Sequence, residues 1–270
     1  MPVPVSLHRT TGKASFDDIY DRPDPSDYYS RLFELDYRIP ELAKPHFERL
    51  IADYRTAAGA APTVLDIGCS YGVNAALLRF DTTVGHLAEH YRGGDTAARI
   101  ARDRARLAAR DRQPNVRFVG MDASAPALAY ASASGLLHDV VHADLESGEP
   151  TEAQRQVLGS ADLVVSTGCI GYVTDRTLLR VVHAHGQRLP WMAHFVLRMY
   201  DYEPIARSLG ELGYRTERVP GTFRQRRFAS SAERSKVLNT LSAKGIDSSG
   251  VEQDGWLHAQ LYLSLPEPQV

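Results

Sequence analysis

Cysteine is scarce in this chain. Its 270 residues hold two, Cys69 and Cys169, too few for a disulfide framework, so a reducing, cytoplasmic setting is expected. No apolar run approaches the ~20 residues that span a bilayer. The opening MPVPVSLHRTTGK has no apolar core of the secretory-signal kind. An excess of one charge is missing too. Lys and Arg number 31 against 33 Asp and Glu, a net charge of −2, so no global field draws in nucleic acid or an anionic membrane. No second Cys/His pair stands at ligand spacing, and no metal is expected. His138, His142, His183 and His185 sit at element ends, and His194 reads as a core histidine. With 43% hydrophobic and 24% charged residues, the chain has the composition of a soluble enzyme or binding protein with a sizeable core.

Periodicity divides the chain in three. Residues 1–14 carry Pro2 and Pro4 without a pattern and read as a disordered tail. Residues 15–60 are acidic, interrupted by proline and rich in tyrosine, with Phe47, Leu50, Ile51 and Tyr54 at helical spacing over Pro45–Tyr54; they read as an N-terminal helical cap or lid. From residue 61 to 266 short apolar runs alternate with helical patterns. Strands are expected at Val64–Ile67, Val116–Met121, His138–Ala143, Asp162–Thr167 and Trp191–Met199. An antiparallel pair, Arg215–Val219 and Leu257–Ser264, should close the chain, with Phe223–Phe228 in a loop between them. This alternation predicts a Rossmann-like, doubly wound, mostly parallel α/β sheet with an antiparallel strand at its C-terminal end. The stretch between the first two strands is too long for a simple crossover. A helical insertion over about 81–113 accounts for it, with Asp95 as N-cap of a helix from Thr96 to Arg110.

The stretch TVLDIGCSYGVNAALL, Thr63 to Leu78, carries the first sign of chemistry. A buried strand meets Gly68 and Gly72, which bracket a turn into a helix, an arrangement that cradles a nucleotide. Ser70 stands where the dinucleotide fingerprint has its middle glycine, which lets the backbone approach a pyrophosphate. Residues 63–77 also contain no Lys or Arg. Both features favour a ligand without phosphate. Asp122, at the end of the second strand, is placed to accept from two ribose hydroxyls. Asp144, at the end of the third, could accept from an exocyclic amine.

VLDIGCSYG, VGMD, HADLE and ADLVVSTGCIGYV together resemble the motifs of the class I S-adenosylmethionine-dependent methyltransferases, over roughly residues 60–266. The resemblance implies S-adenosyl-L-methionine as cofactor. Asp66 and Gly68, with Cys69, Ser70 and Gly72 of the same turn, would border its methionine part. Asp122 would hold the ribose, Asp144 and Leu145 the adenine, and Thr167 and Gly168 would close the site from the fourth strand. The expected reaction is methyl transfer to a small molecule by in-line displacement, on nitrogen, oxygen or carbon. The chain reads STGCIGY after the fourth strand where amino methyltransferases of nucleic-acid bases carry an NPPY-like run. Two other readings stay open: non-methyl chemistry on the same cofactor, by aminocarboxypropyl transfer or cyclisation releasing methylthioadenosine, and a non-catalytic binding protein.

A sulfonium is a cation, and an aromatic face within ~6 Å of one contributes ~0.5–2 kcal/mol. Tyr20, Tyr28, Tyr29 and Tyr37 precede the fold, Tyr71 lies inside the turn and Tyr172 follows the fourth strand. The N-terminal segment is therefore expected to close over the cofactor and exclude water. Tyr71, Tyr172, Tyr20 and Arg198 are the catalytic candidates, with Tyr200 and Tyr202 beside Arg198 on the substrate side. The arginine run from Arg99 to Arg112 reads as a solvated helix face without interleaved aromatics, so nucleic acid is not the expected partner. FRQRRF, Phe223–Phe228, is a basic patch that could receive an anionic group.

Overall fold

The computed structural model describes residues 17–186 and 188–267; the tail expected at 1–14 lies outside them. The helices α1 (Asp17–Tyr20), α2 (Ser26–Glu34) and α3 (Ile39–Ala58) precede strand β1 (Thr63–Ile67). After β1 come α4 (Val73–Phe80), α5 (Val84–His90), α6 (Thr96–Arg110) and β2 (Arg117–Asp122). The alternation continues with α7 (Ala125–Ala133), β3 (Asp139–His142), α8 (Glu152–Leu158), β4 (Leu163–Thr167), α9 (Asp175–His183), β5 (Trp191–Leu197) and α10 (Glu203–Gly210). The end of the chain is β6 (Tyr214–Arg218), β7 (Phe223–Arg227), α11 (Ser231–Ala243) and β8 (Trp256–Pro266).

One eight-stranded sheet runs in the order β3-β2-β1-β4-β5-β8-β6, with β7 also paired to β8. The first five strands are parallel and β8 is antiparallel to β5. Strand order reverses between β1 and β4, and ligands in such sheets sit at the carboxyl ends of the strands beside that switch. Side chains alternate between faces. Val64, Phe118, Val165 and Phe195 pack with Phe47 and Leu50 of α3. Leu65, Val119, Val164 and Met192 pack with Leu178 and Val182 of α9 and Leu209 of α10. Both faces are covered, which a parallel sheet requires.

Two sequence expectations change. Helix α3 starts at Ile39, ahead of Pro45, because Pro40 sits in its first turn, where a missing N–H costs nothing. The expected loop Phe223–Phe228 is strand β7, so the antiparallel end has three strands. A register shift between Arg224 and Arg226 breaks the period-2 pattern that marks a strand. This also revises the basic patch. Arg226 is buried and bidentate on Glu233, at 2.7 and 2.9 Å, while Arg224 and Arg227 stand over the ring of Trp256.

The two helices between α4 and β2 are joined to the domain by a buried polar knot. Asp103, fully buried, accepts from Tyr130 Oη at 2.8 Å and Tyr91 Oη at 3.1 Å, and its Oδ1 lies 2.7 Å from His90 Nε2. Tyr29 of α2 stacks on Tyr91 with centroids 5.0 Å apart. Among the described residues no helix is long and apolar enough to cross a membrane. Asp103→Ala strands three polar partners at once. It should cost about 3 kcal/mol of unfolding free energy in urea titration, whereas a change under 1 kcal/mol would mean that the knot does not hold the insertion.

Candidate functional site

The site is built on the turn that joins β1 to α4. Gly68 and Gly72 take left-handed backbone, with φ of +68° and +77°, and a Cβ on Gly68 would lie 2.7 Å from that of Cys169. Gly68 is exposed although Ile67 and Cys69 on either side are buried, which marks an opening above the turn. Ser70 also has positive φ, +50°, a conformation that costs a non-glycine residue ~1 kcal/mol. What the conformation achieves is visible in the hydrogen bonds. The Ser70 N–H donates to Asp122 Oδ2 at 2.8 Å, and the Ser124 N–H donates to Oδ1 of the same carboxylate at 2.9 Å. The Gly68 N–H in turn donates to the Met121 carbonyl at 2.8 Å. The turn is thus tied to the end of β2 by its backbone, and the N–H of the middle position faces a carboxylate.

Beneath the opening lies Asp66, 2% exposed. Both its oxygens accept from Asn74 Nδ2 at 3.1 Å, and the same amide donates to Thr167 Oγ1 at 3.1 Å. Burial pushes the Asp66 carboxyl up to about 7; the Asn74 hydrogen bond opposes this and the nearby Asp122 charge adds to it. Tyr37 reaches the same corner, within hydrogen-bonding reach of Tyr28 and Thr167, and burial raises its phenol to about 12. Tyr20 is raised further, first by burial, with Tyr37, Tyr172 and Asp122 adding to the rise and Arg226 opposing it. Tyr20, Tyr37, Tyr172, Thr167 and Asp122 each keep partial exposure at these inner positions. The result is an acid-rich opening walled by phenols. Its buried Ser70 Oγ and Asn74 Oδ1 have no hydrogen-bond partner among the described residues.

Residues 19–24 form a strap tied to the turn and to the end of β2. The Tyr71 hydroxyl accepts from the Arg22 N–H at 3.1 Å and lies 3.0–3.2 Å from the carbonyls of Ile19, Tyr20 and Arg22. Ser124 Oγ donates to the Tyr20 carbonyl at 2.8 Å. At the far end Asp24 accepts from Arg99 Nη1 at 2.8 Å and Thr96 Oγ1 at 2.7 Å, both on α6. The insertion therefore anchors the strap.

The structure brings Asp66, Gly68, Ser70, Gly72, Asp122, Thr167 and Gly168 to one edge, with Tyr20 and Tyr172 beside it. Other expected site residues are placed differently. The Tyr71 ring is 1% exposed, edge-on to Tyr28 and Tyr130, and its hydroxyl clamps the strap. The Arg198 guanidinium is engaged by Glu252 at 2.6 Å and the Asp247 carbonyl at 2.7 Å, both in the segment that precedes β8. The Cys69 side chain packs inward against Gly120, and that of Leu145 lies in the core, leaving only their backbones to meet a ligand. Asp144 is exposed and caps its own turn, accepting from the Glu146 N–H at 3.0 Å. Tyr202 stacks on Tyr262, with centroids 4.3 Å apart.

Sequence reasoning passed over two residues. Asn74 is the polar break in the apolar run VNAALL, and Ser124 precedes Ala125–Pro126 as an N-cap whose Oγ accepts from the Ala127 N–H. Both signals were present.

No family model and no curated protein matches the chain. Solved structures similar in overall fold include EvdMO1, with 14% identity over 81% of this chain and a TM-score of 0.40; the chain spans 40% of that protein's length. The magnesium protoporphyrin IX methyltransferase of Synechocystis PCC 6803, solved with bound SAM, has 13% identity over 92% of this chain and 90% of its own, with a TM-score of 0.42. The plantazolicin methyltransferase BpumL, solved with a monoazolic desmethylPZN analogue and SAH, has 13% identity over 93% and 92%, with a TM-score of 0.44. These likenesses are remote, and the chemistry of the site follows from its own residues.

Tyr71→Phe removes the clamp and keeps the ring. Amide exchange at Arg22 should accelerate by about five- to tenfold, ~1 kcal/mol for one hydrogen bond. Unchanged exchange would show that Tyr71 does not hold the strap.

Proposed function

We propose that the chain is an S-adenosylmethionine-dependent methyltransferase acting on a small molecule. The observation that carries this reading is the Ser70 N–H donating to Asp122. In a dinucleotide site the backbone at that position approaches a pyrophosphate. Here it meets a carboxylate, with Asp66 close by, and a pyrophosphate would face two acids and no cation from the turn. An adenosine without phosphates fits this arrangement, and so does a positive charge.

In the reading proposed here, Asp122 holds the ribose through lone pairs that Ser70 and Ser124 leave available, since each carboxylate oxygen can accept more than one hydrogen bond. The exposed carboxylate of Asp144 accepts from the adenine amine, beside the Leu145 backbone. Gly68 and Gly168 admit the methionine part, whose ammonium is met by the Asp66–Asn74–Thr167 group. When bound, S-adenosylmethionine supplies a methyl carbon that already bears a positive leaving group. The chain's contribution is alignment and exclusion of water: the turn fixes the donor, the strap covers it, and Tyr20 and Tyr37 turn electron-rich rings toward the charge. Tyr172, from the β4 loop, lines the acceptor side.

Three measurements test the reading. In calorimetry with S-adenosylhomocysteine, Asp122→Ala should raise Kd by about 10- to 100-fold, as expected for losing one hydrogen bond to a charged group (~1.5–3 kcal/mol). Undiminished affinity would remove Asp122 from the site. Asp66 makes the pH dependence specific. Held up at about 7 by burial, it costs the empty protein stability as pH rises from about 4 through 7, because the folded state then holds a proton that the unfolded chain has released. A cationic ligand favours the ionised form. Affinity should therefore climb from pH 6 to 7 and level off by 8, and Asp66→Asn should flatten that rise. Methyl-labelled cofactor then distinguishes the chemistries: label on an acceptor supports methyl transfer, and label leaving as methylthioadenosine contradicts it.

A further inference from the structure

We propose that the acceptor is an amine, bound as a neutral nitrogen among Tyr20, Tyr37 and Tyr172 and carrying the positive charge once methylated. This rests on the cofactor reading above and adds the substrate class.

The first support is the distribution of charge. At the ends of β1 and β2 stand the carboxylates of Asp66 and Asp122, and the cation that acts on both Tyr20 and Tyr37 is Arg226. Its guanidinium is bidentate on Glu233, at 2.7 and 2.9 Å, and both side chains are buried. Arg198, which follows β5, is likewise matched by Glu252. Among the described residues the opening thus has carboxylates in excess and arginines already neutralised. An acceptor bearing a carboxylate or phosphate would add negative charge beside Asp66 and Asp122. A sulfonium beside the acceptor also disfavours a protonated amine, so the nitrogen enters neutral.

The second support is the bookkeeping of the transfer itself. The nitrogen lone pair forms the new N–C bond, and the C–S bond breaks with its electron pair left on sulfur. The positive charge moves from sulfur to nitrogen, so the net charge of the site is the same before and after the step. A hydroxyl acceptor would end neutral and would have to lose its proton to a base. The groups present are poorly suited to that. Tyr20, Tyr28 and Tyr37 are all pushed up by burial, and Asp66 lies under the turn with both oxygens on Asn74. Among the described residues, His194 is sealed against Ser166, His46 lies edge-on to Phe195 and Phe223, His90 sits on Asp103, and His142, paired in register with Asp122, has its Nε2 on the Ala123 carbonyl. A neutral amine needs none of them, and its product, if it is to lose a proton, releases it to solvent afterwards. The phenols serve the product. Tyr20 and Tyr28 are edge-to-face with centroids 5.4 Å apart, and Tyr37 is within hydrogen-bonding reach of Tyr28, so the walls form a packed aromatic set whose faces attract an ammonium.

The test uses the full chain saturated with S-adenosylhomocysteine and three probes of one shape: choline, its neutral isostere 3,3-dimethylbutan-1-ol, and the anion 3,3-dimethylbutanoate. Calorimetry should show choline binding roughly tenfold tighter than the alcohol, with the carboxylate weakest. Tyr20→Leu and Tyr172→Leu, each read on folded protein, should cut the ratio of choline to alcohol affinity several-fold. Choline bound no better than the alcohol, a preference for the carboxylate, or no binding of any probe to the saturated protein overturns the amine assignment alone. Failure of S-adenosylhomocysteine itself to bind, read in the preceding titration, overturns the cofactor reading and the amine assignment with it.

Discussion

The hydrogen bond from the Ser70 N–H to Asp122 Oδ2 joins the two halves of the candidate site. It turns the β1–α4 loop toward the end of β2 and holds the Asp122 carboxylate in a fixed orientation, with the Ser124 N–H on its other oxygen. To reach that carboxylate Ser70 adopts a left-handed backbone, so local strain is exchanged for a charge-assisted hydrogen bond, which is the stronger kind. The same bond fixes the electrostatic character of the opening. Backbone donors that would otherwise favour an anion are turned to an internal carboxylate, and this edge of the sheet is left acidic.

The strap and the insertion extend this arrangement outward. Residues 19–24 are held by the Tyr71 hydroxyl at the turn, by Ser124 at the end of β2 and by Arg99 and Thr96 on α6. Because α6 is fixed through the buried Asp103 knot, a change deep in the insertion is coupled to the cover of the site. Thermodynamically, the cost of ordering the strap is met when the chain folds, so a ligand need not bear it. On the other wall, segment 35–38 runs beside β7, with the Arg227 N–H on the Leu35 carbonyl and the Arg38 N–H on the Gln225 carbonyl. That pairing turns Tyr37 inward and leaves Asp36, Arg38 and Arg227 outside.

The sheet was legible because Leu65, Val119, Val164 and Met192 fall in runs whose length and spacing allow only short buried strands between helices. The strand-end acids Asp66 and Asp122 were legible for the same reason, since topology alone delivers strand ends to one edge. What stayed hidden depends on partners far away in sequence. Tyr71 had the position of a ligand-facing ring, and only the carbonyls about fifty residues upstream show that its hydroxyl is a clamp. Arg198 lies 54 residues from the Glu252 that engages it. Strand β7 was masked by its register shift and its arginines, and the Arg226–Glu233 pair by the fact that a buried ion pair looks like surface charge when read one residue at a time.

In the proposed function the turn and Asp122 form a cradle for an adenosine without phosphates. A crystal structure of the chain with S-adenosylhomocysteine tests it most directly. Both ribose hydroxyls should lie within hydrogen-bonding distance of the Asp122 carboxylate, with the sulfur beside Gly68 and the amino group toward Asp66 and Thr167. Adenosine bound away from Asp122 in a well-ordered complex would contradict it.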